Sequence, residues 1–158
     1  MALRTGIGYD VHRLVAGRAL IVGGVRLESE LGLDGHSDAD VLTHAVMDAL
    51  LGAAGLGDIG MHFPDGEERY RDADSIELLG VVAGLVRAAG YAIVNVDTML
   101  LLEAPKLGAA REQMRERLAQ ALELAPDAVN VKATTGEAIG FVGRGEGAAA
   151  LAIATLDG

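Results

Sequence analysis

The order of apolar and polar residues along the chain predicts strands interleaved with helices. Strands are predicted at residues 5–14, 19–22, 91–102, 129–134 and 148–156, and a glycine-rich stretch at 140–147 joins the last two. Helices are predicted at residues 38–54, 75–89 and 108–124, with a long loop over 55–74. The helix pair and the hairpin-like strands favour a mixed sheet with helices on one face over a doubly wound sheet.

The first predicted helix carries a polar stripe beside its apolar one. Ser37 or Asp38 is placed to cap its N-terminus. Asp40, His44 and Asp48 follow at steps of four, so they share one face opposite the apolar stripe. Either Asp40 or Asp48 is therefore expected to orient the His44 ring.

Composition limits the kinds of protein that this chain can be. With 158 residues, 51% of them hydrophobic, it is long enough for one substantial core, so residues 1–158 are expected to form a single domain. No apolar run approaches the roughly 20 residues that cross a bilayer, and residues 1–5 begin no apolar leader, which predicts a soluble, cytoplasmic protein without a membrane partner.

Charge and cysteine content direct the search for chemistry. A formal net charge of −10 argues against nucleic acid as a partner, because phosphate backbones bind basic surfaces. A small phosphorylated ligand would then need a few local cations, helix N-termini or bound metal ions. With no cysteine present, a metal must be held by histidine and carboxylate, which suits Zn, Mn or Mg.

Asp10 and His12 are the first candidate metal ligands. They lie two residues apart on a predicted strand, so both side chains leave the same face, while Val11 is expected to point into the core. His44 is the candidate third ligand, which would complete a two-histidine, one-carboxylate site with an open position. The same residues also fit a polar pair near a turn and a partly exposed helix histidine.

Other polar residues suggest phosphate and sugar contacts. His36 precedes the first helix, where free N–H groups attract anions, although ordinary capping explains its neighbours. Asp58 and Asp65 lie in the long loop and suit sugar hydroxyls, or are simply acids in a turn. Residues 134–137 offer hydroxyls and a carboxylate at a strand end, which suits phosphate and Mg or ordinary solvated polarity.

Short motifs in a fixed order cover nearly the whole chain. They are Asp10-Val11-His12, His36-Ser37-Asp38-Ala39-Asp40, His44, Asp48, Leu56-Gly57-Asp58-Ile59-Gly60, Phe63-Pro64-Asp65, Ala104-Pro105-Lys106, Asn130-Val131-Lys132-Ala133-Thr134-Thr135 and Gly140-Phe141-Val142-Gly143-Arg144-Gly145-Glu146-Gly147. In order and spacing the chain resembles the 2-C-methyl-D-erythritol 2,4-cyclodiphosphate synthase family. That resemblance strengthens the metal-site hypothesis.

The resemblance implies a metal-dependent phosphorus–oxygen lyase of the methylerythritol phosphate route to isoprenoid precursors. Such an enzyme converts 4-diphosphocytidyl-2-C-methyl-D-erythritol 2-phosphate into 2-C-methyl-D-erythritol 2,4-cyclodiphosphate and CMP, by attack of the 2-phosphate on the β-phosphorus. The resemblance also implies a ferredoxin-like subunit and a homotrimer whose active sites lie between neighbouring subunits.

The resemblance further implies roles for particular residues. The implied Zn ligands are Asp10, His12 and His44. A second cation, Mg or Mn, is implied at the diphosphate with Glu137 among its ligands, and His36 and Thr135 are implied to stabilise the transition state. Implied substrate contacts are Asp10, Val11, His12, His36, Ser37, Asp58, Ile59, Gly60, Phe63, Pro64, Asp65, Ala104, Pro105, Lys106, Leu107, Thr134, Thr135, Glu137, Phe141 and Arg144.

Two other functions compete with this interpretation. A metal-dependent phosphodiesterase or phosphatase would use the open metal position to activate water and hydrolyse a nucleotide diphosphate. A non-enzymatic trimeric binding protein would use a cavity on the trimer axis, capped by residues 140–147, with Arg144 facing anionic ligands.

Overall fold

The computed structural model describes residues 2–158. Its strands are Leu3–Ala16 (β1), Leu20–Val22 (β2), Val25–Leu27 (β3), Leu31–Leu33 (β4), Ala92–Leu101 (β5), Val129–Thr134 (β6) and Gly147–Asp157 (β7). Its helices are Val41–Ala54 (α1), Ile59–His62 (α2), Ser75–Ala88 (α3), Ala110–Leu122 (α4) and Gly140–Gly143 (α5), with 3-10 turns at Glu68–Tyr70 and Pro126–Ala128. Among these residues, no helix is long and apolar enough to cross a membrane.

The main sheet is mixed, as the sequence predicts. Its strand order is β4-β1-β7-β5-β6, and β2 and β3 form a separate hairpin. Only the β5 to β6 pairing is parallel among the pairings of the described residues, with Val96 opposite Val129. Helices α1, α3 and α4 enclose the core against one face of the sheet. The predicted α+β class with helices on one face is therefore confirmed.

The ferredoxin-like label is wrong for this topology. A ferredoxin-like unit runs β-α-β-β-α-β. Here the strands of the main sheet and the long helices follow along the chain in the order β1-β4-α1-α3-β5-α4-β6-β7, and the last strand inserts between β1 and β5. The parallel β5 and β6 pair follows from this order, because α4 crosses over between the two strands.

Helix α1 is the centre of the core. Nearly all of its residues are buried, and it ends at Gly55, whose left-handed φ of 72° suits glycine. The cap is Asp40, not the predicted Ser37 or Asp38: its side chain accepts hydrogen bonds from Thr43 N and from the N–H groups of Gly23 and Gly24. Burial raises the pKa of Asp40. Asp40 therefore fixes the β2–β3 hairpin to the start of α1.

The segment over residues 55–74, which was predicted as a loop, contains more secondary structure than expected. It contains α2 and the 3-10 turn Glu68–Tyr70. Asp48 of α1 accepts a hydrogen bond from Ile59 N at 2.9 Å, which attaches α2 to the central helix. The predicted long helices, by contrast, are confirmed, with ends shifted by at most three residues.

Strand β1 packs on α1 through two glycines. A Cβ on Gly6 would lie 2.1 Å from Ala49 O, and one on Gly8 would lie 1.8 Å from Ala45 O. Both contacts are with helix backbone, which cannot move aside like a side-chain tip. Glycine at these positions therefore permits the short distance between β1 and α1.

Replacing Gly8 with alanine is expected to destabilise the fold by about 3 kcal/mol or more, because the methyl group must push β1 away from α1. This corresponds to a fall in Tm of roughly 6–12 °C. Gly80→Ala is the matched control, since nothing lies within 4 Å of its Cβ position and alanine favours a helix. Thermal unfolding of both variants measures the difference. Equal Tm values would contradict the packing argument.

The other face of the sheet is apolar and uncovered in the subunit. Ile7 is 70% exposed and Ile153, its register partner on β7, is 51% exposed. Tyr9, Leu151 and Val11 continue this surface, which we call the open face. The prediction that Val11 points into the core was wrong: the odd-numbered residues of β1 line the open face, and Asp10 and His12 face α1.

Candidate metal centre and adjoining pockets

Three predicted ligands converge where β1 meets α1. Asp10 Oδ2 lies 2.9 Å from His12 Nε2 and 3.1 Å from His44 Nδ1. The two ring nitrogens lie 3.4 Å apart. Within residues 2–158, these three side chains are the group whose ligand atoms lie close enough together to hold a metal ion. The prediction that they come together in space is therefore confirmed.

Each histidine ring also forms a hydrogen bond through its other nitrogen, the one that faces away from this group. His12 Nδ1 lies 2.8 Å from Asp34 O, and a carbonyl only accepts, so Nδ1 carries a proton, and Nε2, which faces Asp10, is the nitrogen left to bind a cation. His44 Nε2 lies 2.9 Å from Ser75 Oγ. The prediction that Asp40 or Asp48 orients His44 was wrong, because these carboxylates bind backbone N–H groups instead.

The geometry of the three side chains fits a tetrahedral cation. Zn bonds of about 2.0–2.1 Å place neighbouring ligand atoms about 3.3 Å apart. The separations of 2.9, 3.1 and 3.4 Å are close to this value. Two nitrogens and one carboxylate oxygen also match the ligand set of catalytic zinc sites, which leave the fourth position open.

Electrostatics keep the carboxylate of this group charged. Burial alone would raise the pKa of Asp10, but hydrogen bonds and charge interactions with His12 and His44 outweigh it and lower the pKa to about 2. Burial opposes protonation of His12, yet its hydrogen bond and attraction to Asp10 raise the pKa of the ring. A proton and a cation therefore compete for the same site beside a carboxylate that is anionic at neutral pH.

The three ligands form one wall of a pocket that we call the metal pocket. Its lining includes most of the predicted residues from the first half of the chain: Asp10, His12, His36, Ser37, His44, Ile59, Gly60, Phe63 and Asp65. His36 is held there by its Nε2 contact with Glu67 O at 2.8 Å. Asp58 caps α2 by accepting from Met61 N, and Pro64 lies between Phe63 and Asp65 in the chain.

Predicted residues from the second half line a different pocket. This strand-end pocket lies where β5 and β6 end, and its lining includes Pro105, Lys106, Leu107, Thr134 and Thr135. The peptide bond between Ala104 and Pro105 is cis. Ala104 and Arg144 border a neighbouring groove. His36 and Thr135, the predicted catalytic pair, thus lie in separate pockets of the subunit, and Val11 lies on the open face.

Glu103 is a residue of this region that sequence reasoning missed. Its carboxylate accepts hydrogen bonds from Gly136 N at 2.7 Å and Ala138 N at 3.2 Å. These bonds fix a turn in which Glu137 and Ala138 both have positive φ, at 53° and 59°. Glu137 is exposed on this turn, next to Thr135. No local sequence signal marks Glu103, because its partners lie more than thirty residues away.

The fold and the site together define a small α+β protein in which two histidines and one aspartate, at a strand–helix contact, form a group that could hold a metal ion. The model of the YgbB family matches residues 3–157. The 2-C-methyl-D-erythritol 2,4-cyclodiphosphate synthase of Salinibacter ruber is 60% identical over 154 residues, and that of Alkaliphilus oremlandii is 58% identical over 154 residues. Each match covers 98% of both chains. The chain belongs to the YgbB family.

Solved structures of similar proteins share this fold. The bifunctional IspDF from Campylobacter jejuni matches with a TM-score of 0.94 at 42% identity, over 98% of this chain and 42% of the longer chain. A 2C-methyl-D-erythritol-2,4-cyclodiphosphate synthase described as a CDP-bound form matches with a TM-score of 0.89 at 37% identity, over 98% and 100% of the two chains. The Plasmodium falciparum IspF CDP complex gives a TM-score of 0.86 at 28% identity, over 98% and 96%.

Proposed function

We propose that this protein is a 2-C-methyl-D-erythritol 2,4-cyclodiphosphate synthase. It converts 4-diphosphocytidyl-2-C-methyl-D-erythritol 2-phosphate into the cyclic 2,4-diphosphate and CMP, within the methylerythritol phosphate pathway. An oxygen of the 2-phosphate forms a bond to the β-phosphorus, the bond from that phosphorus to the bridging oxygen breaks, and CMP leaves with that oxygen. The observation that carries the proposal is the Asp10, His12 and His44 group at the wall of the metal pocket.

The reaction requires the protein to align the substrate and to stabilise charge, and it requires no nucleophile from the protein. The substrate supplies its own attacking phosphate, and holding it in line is worth up to roughly 7–11 kcal/mol in intramolecular reactions. Phosphoryl transfer otherwise depends on positive charge at the reacting oxygens. An acidic chain with two lysines can provide that charge through bound cations.

In this proposal Asp10, His12 and His44 hold Zn, and Glu137 contributes to a second cation, Mg or Mn, at the diphosphate. Bound cations supply positive charge to the phosphate oxygens. In the proposal His36 and Thr135 stabilise the charge on the reacting phosphates. His36 Nε2 is held by Glu67 O, and Thr135 Oγ, which accepts from Glu137 N, still has its own proton to donate. The donor set and its spacing support the Zn assignment.

In this proposal each pocket binds one part of the substrate. The metal pocket suits the methylerythritol phosphate, with contacts from Asp10, His12, His36, Ser37, Asp58, Ile59, Gly60, Phe63, Pro64 and Asp65. The strand-end pocket suits the cytidine diphosphate, with contacts from Ala104, Pro105, Lys106, Leu107, Thr134, Thr135 and Glu137. The CDP named with two of the similar solved structures supports a nucleotide ligand. Val11, Phe141 and Arg144 remain proposed contacts from outside these two pockets.

The whole chain acts in this proposal as a single catalytic domain in a homotrimer with active sites between subunits. Two observations support it. The open face is a continuous apolar surface of the kind that subunit interfaces cover. The metal pocket and the strand-end pocket of one subunit are separate, so a neighbouring subunit can bring the complementary half. The cytoplasmic location stays a prediction.

Incubation of the purified protein with the cytidylylated substrate and divalent metal tests the reaction. We expect cyclic diphosphate and CMP in equal amounts, identified by ³¹P NMR. Water is not a reactant in the cyclisation, so no linear methylerythritol phosphates should accumulate. Linear products with CMP would instead support the metal-dependent phosphodiesterase and remove this proposal. A sample stripped of metal by a chelator is the control and should form neither product.

A further inference from the structure

A buried hydroxyl that no sequence motif singles out holds the His44 ring from behind. Ser75, the first residue of α3, is fully buried, and its Oγ lies 2.9 Å from His44 Nε2. The same Oγ lies 2.5 Å from Asp38 Oδ1, and Ser75 N donates to Asp38 Oδ2 at 2.9 Å. Asp38, Ser75 and His44 therefore form one chain of hydrogen bonds that ends at the metal ligand.

The chemistry of these groups fixes the direction of each hydrogen bond. A carboxylate accepts and does not donate, so the single hydroxyl proton of Ser75 goes to Asp38. The oxygen of Ser75 is then left as an acceptor toward His44, whose Nε2 must carry the ring proton. The Nδ1 atom of His44 faces Asp10 Oδ2 at 3.1 Å and is then the ring nitrogen left to bind a cation.

We propose that Ser75 and Asp38 are positioning residues of the metal centre, which hold His44 in the tautomer and orientation that present Nδ1 to the cation. This inference rests on the proposed metal binding by the three ligands. Hydrogen bonds of this kind set the tautomer and basicity of metal-bound histidines, and their loss costs roughly 10–100-fold in metal affinity. Ser37 Oγ, at 3.3 Å from Nε2, is a longer and weaker alternative acceptor.

Asp38 also connects the metal centre to the wall of the metal pocket. It follows His36 and Ser37 in the chain, and its N–H donates to Ala73 O at 3.2 Å. Asp72 N in turn donates to His36 O at 2.9 Å. The segment that carries His36 is thus joined by backbone hydrogen bonds to the residues before α3, and the Asp38 carboxylate joins it to Ser75 at the start of α3.

Two variants test the inference in the full-length protein. Ser75→Ala removes the acceptor of His44 Nε2. Asp38→Asn keeps the size of the side chain but allows an amide N–H to face the Ser75 hydroxyl. The hydroxyl proton would then point toward His44 Nε2. This favours the tautomer with the ring proton on Nδ1, the nitrogen that should bind the cation. We expect zinc affinity, measured by competition with a chromophoric chelator, to fall roughly 10–100-fold in both variants.

The ¹⁵N shifts of the His44 ring in the metal-free protein provide a readout that a general loss of stability does not move. We expect Nε2 of His44 to carry a proton in the unsubstituted protein and to be only partly protonated in both variants. Ser29→Ala is the matched control, since its hydroxyl accepts only from Leu31 N at an exposed turn, and it should retain full affinity and the same tautomer.

The outcomes separate this inference from the proposed function. Zinc affinity within twofold of the unsubstituted protein in both variants, with the tautomer unchanged, would overturn the role of Ser75 and Asp38 while leaving the metal site intact. Failure of the unsubstituted protein to bind zinc would overturn the metal proposal itself. Weaker binding with a changed tautomer in folded variants, verified by circular dichroism, supports the inference.

Discussion

Replacing His44 with alanine is expected to remove the bound zinc and lower turnover by at least about 10³-fold. Loss of one donor to a transition-state charge already costs roughly 10²–10³-fold. Loss of His44 is expected to cost more than loss of one such donor, because it removes a cation held by a set of three ligand atoms spaced 2.9, 3.1 and 3.4 Å apart. Its removal leaves two ligands, too few for a stable tetrahedral site.

Elemental analysis of the purified His44→Ala variant, together with the product assay, measures both effects. His62→Ala is the matched control for metal content: this histidine bonds Leu56 O at 2.8 Å and lies outside the ligand group. The control should retain one zinc per subunit. Stoichiometric zinc in His44→Ala would show that the metal is held elsewhere and would remove the site assignment.

Placing an aspartate at Ile153 is expected to separate the proposed trimer into folded, inactive monomers. Ile153 is 51% exposed in the subunit, so a charge there costs the isolated fold little, but it would be buried without a partner in a subunit interface. Because the proposal divides each active site between subunits, we expect turnover to fall by at least about 10²-fold when complementary groups separate.

Sedimentation analysis checks the assembly against a subunit mass of 16.3 kDa. The Val81→Asp variant is the matched control, since Val81 is 52% exposed but lies on α3, on the opposite side of the subunit from the open face. It should keep the mass of a trimer and full activity. An Ile153→Asp protein that remains trimeric would show that the open face is not the interface.

The Asp10 and His12 part of the ligand group followed from the sequence because its geometry is local, whereas His44 lies 34 residues from Asp10 and was assigned through the family resemblance. Two residues two positions apart on a strand must share a face, and this placed Asp10 beside His12. The sequence indicated the wrong face of β1 as the one that meets the helices, because the other face carries Ile7, Tyr9 and Val11 and is the more apolar. The open face resembles a core face, and Gly6 and Gly8 on the packed face give no apolar signal. That pattern is why Val11 was misplaced.

Features that depend on partners distant in the sequence were not predicted. Strands β3 and β4 have three residues each, too short for a periodic pattern, and exist through pairing with β2 and β1. Asp38 resembled an ordinary cap, but it bonds Ser75, 37 residues away, while Asp40 caps the helix. A capping signal identifies the kind of residue at a helix start and leaves its long-range partner open.

The glycine contact between β1 and α1 also bears on the thermodynamics of metal capture. Gly6 and Gly8 set the distance between the two backbones that carry the ligands, so that distance does not depend on flexible side chains. A cation arriving at Asp10, His12 and His44 has little conformational entropy to remove from its ligands. The same rigidity limits how far the ligands can spread, which disfavours larger ions that require longer bonds and more oxygens.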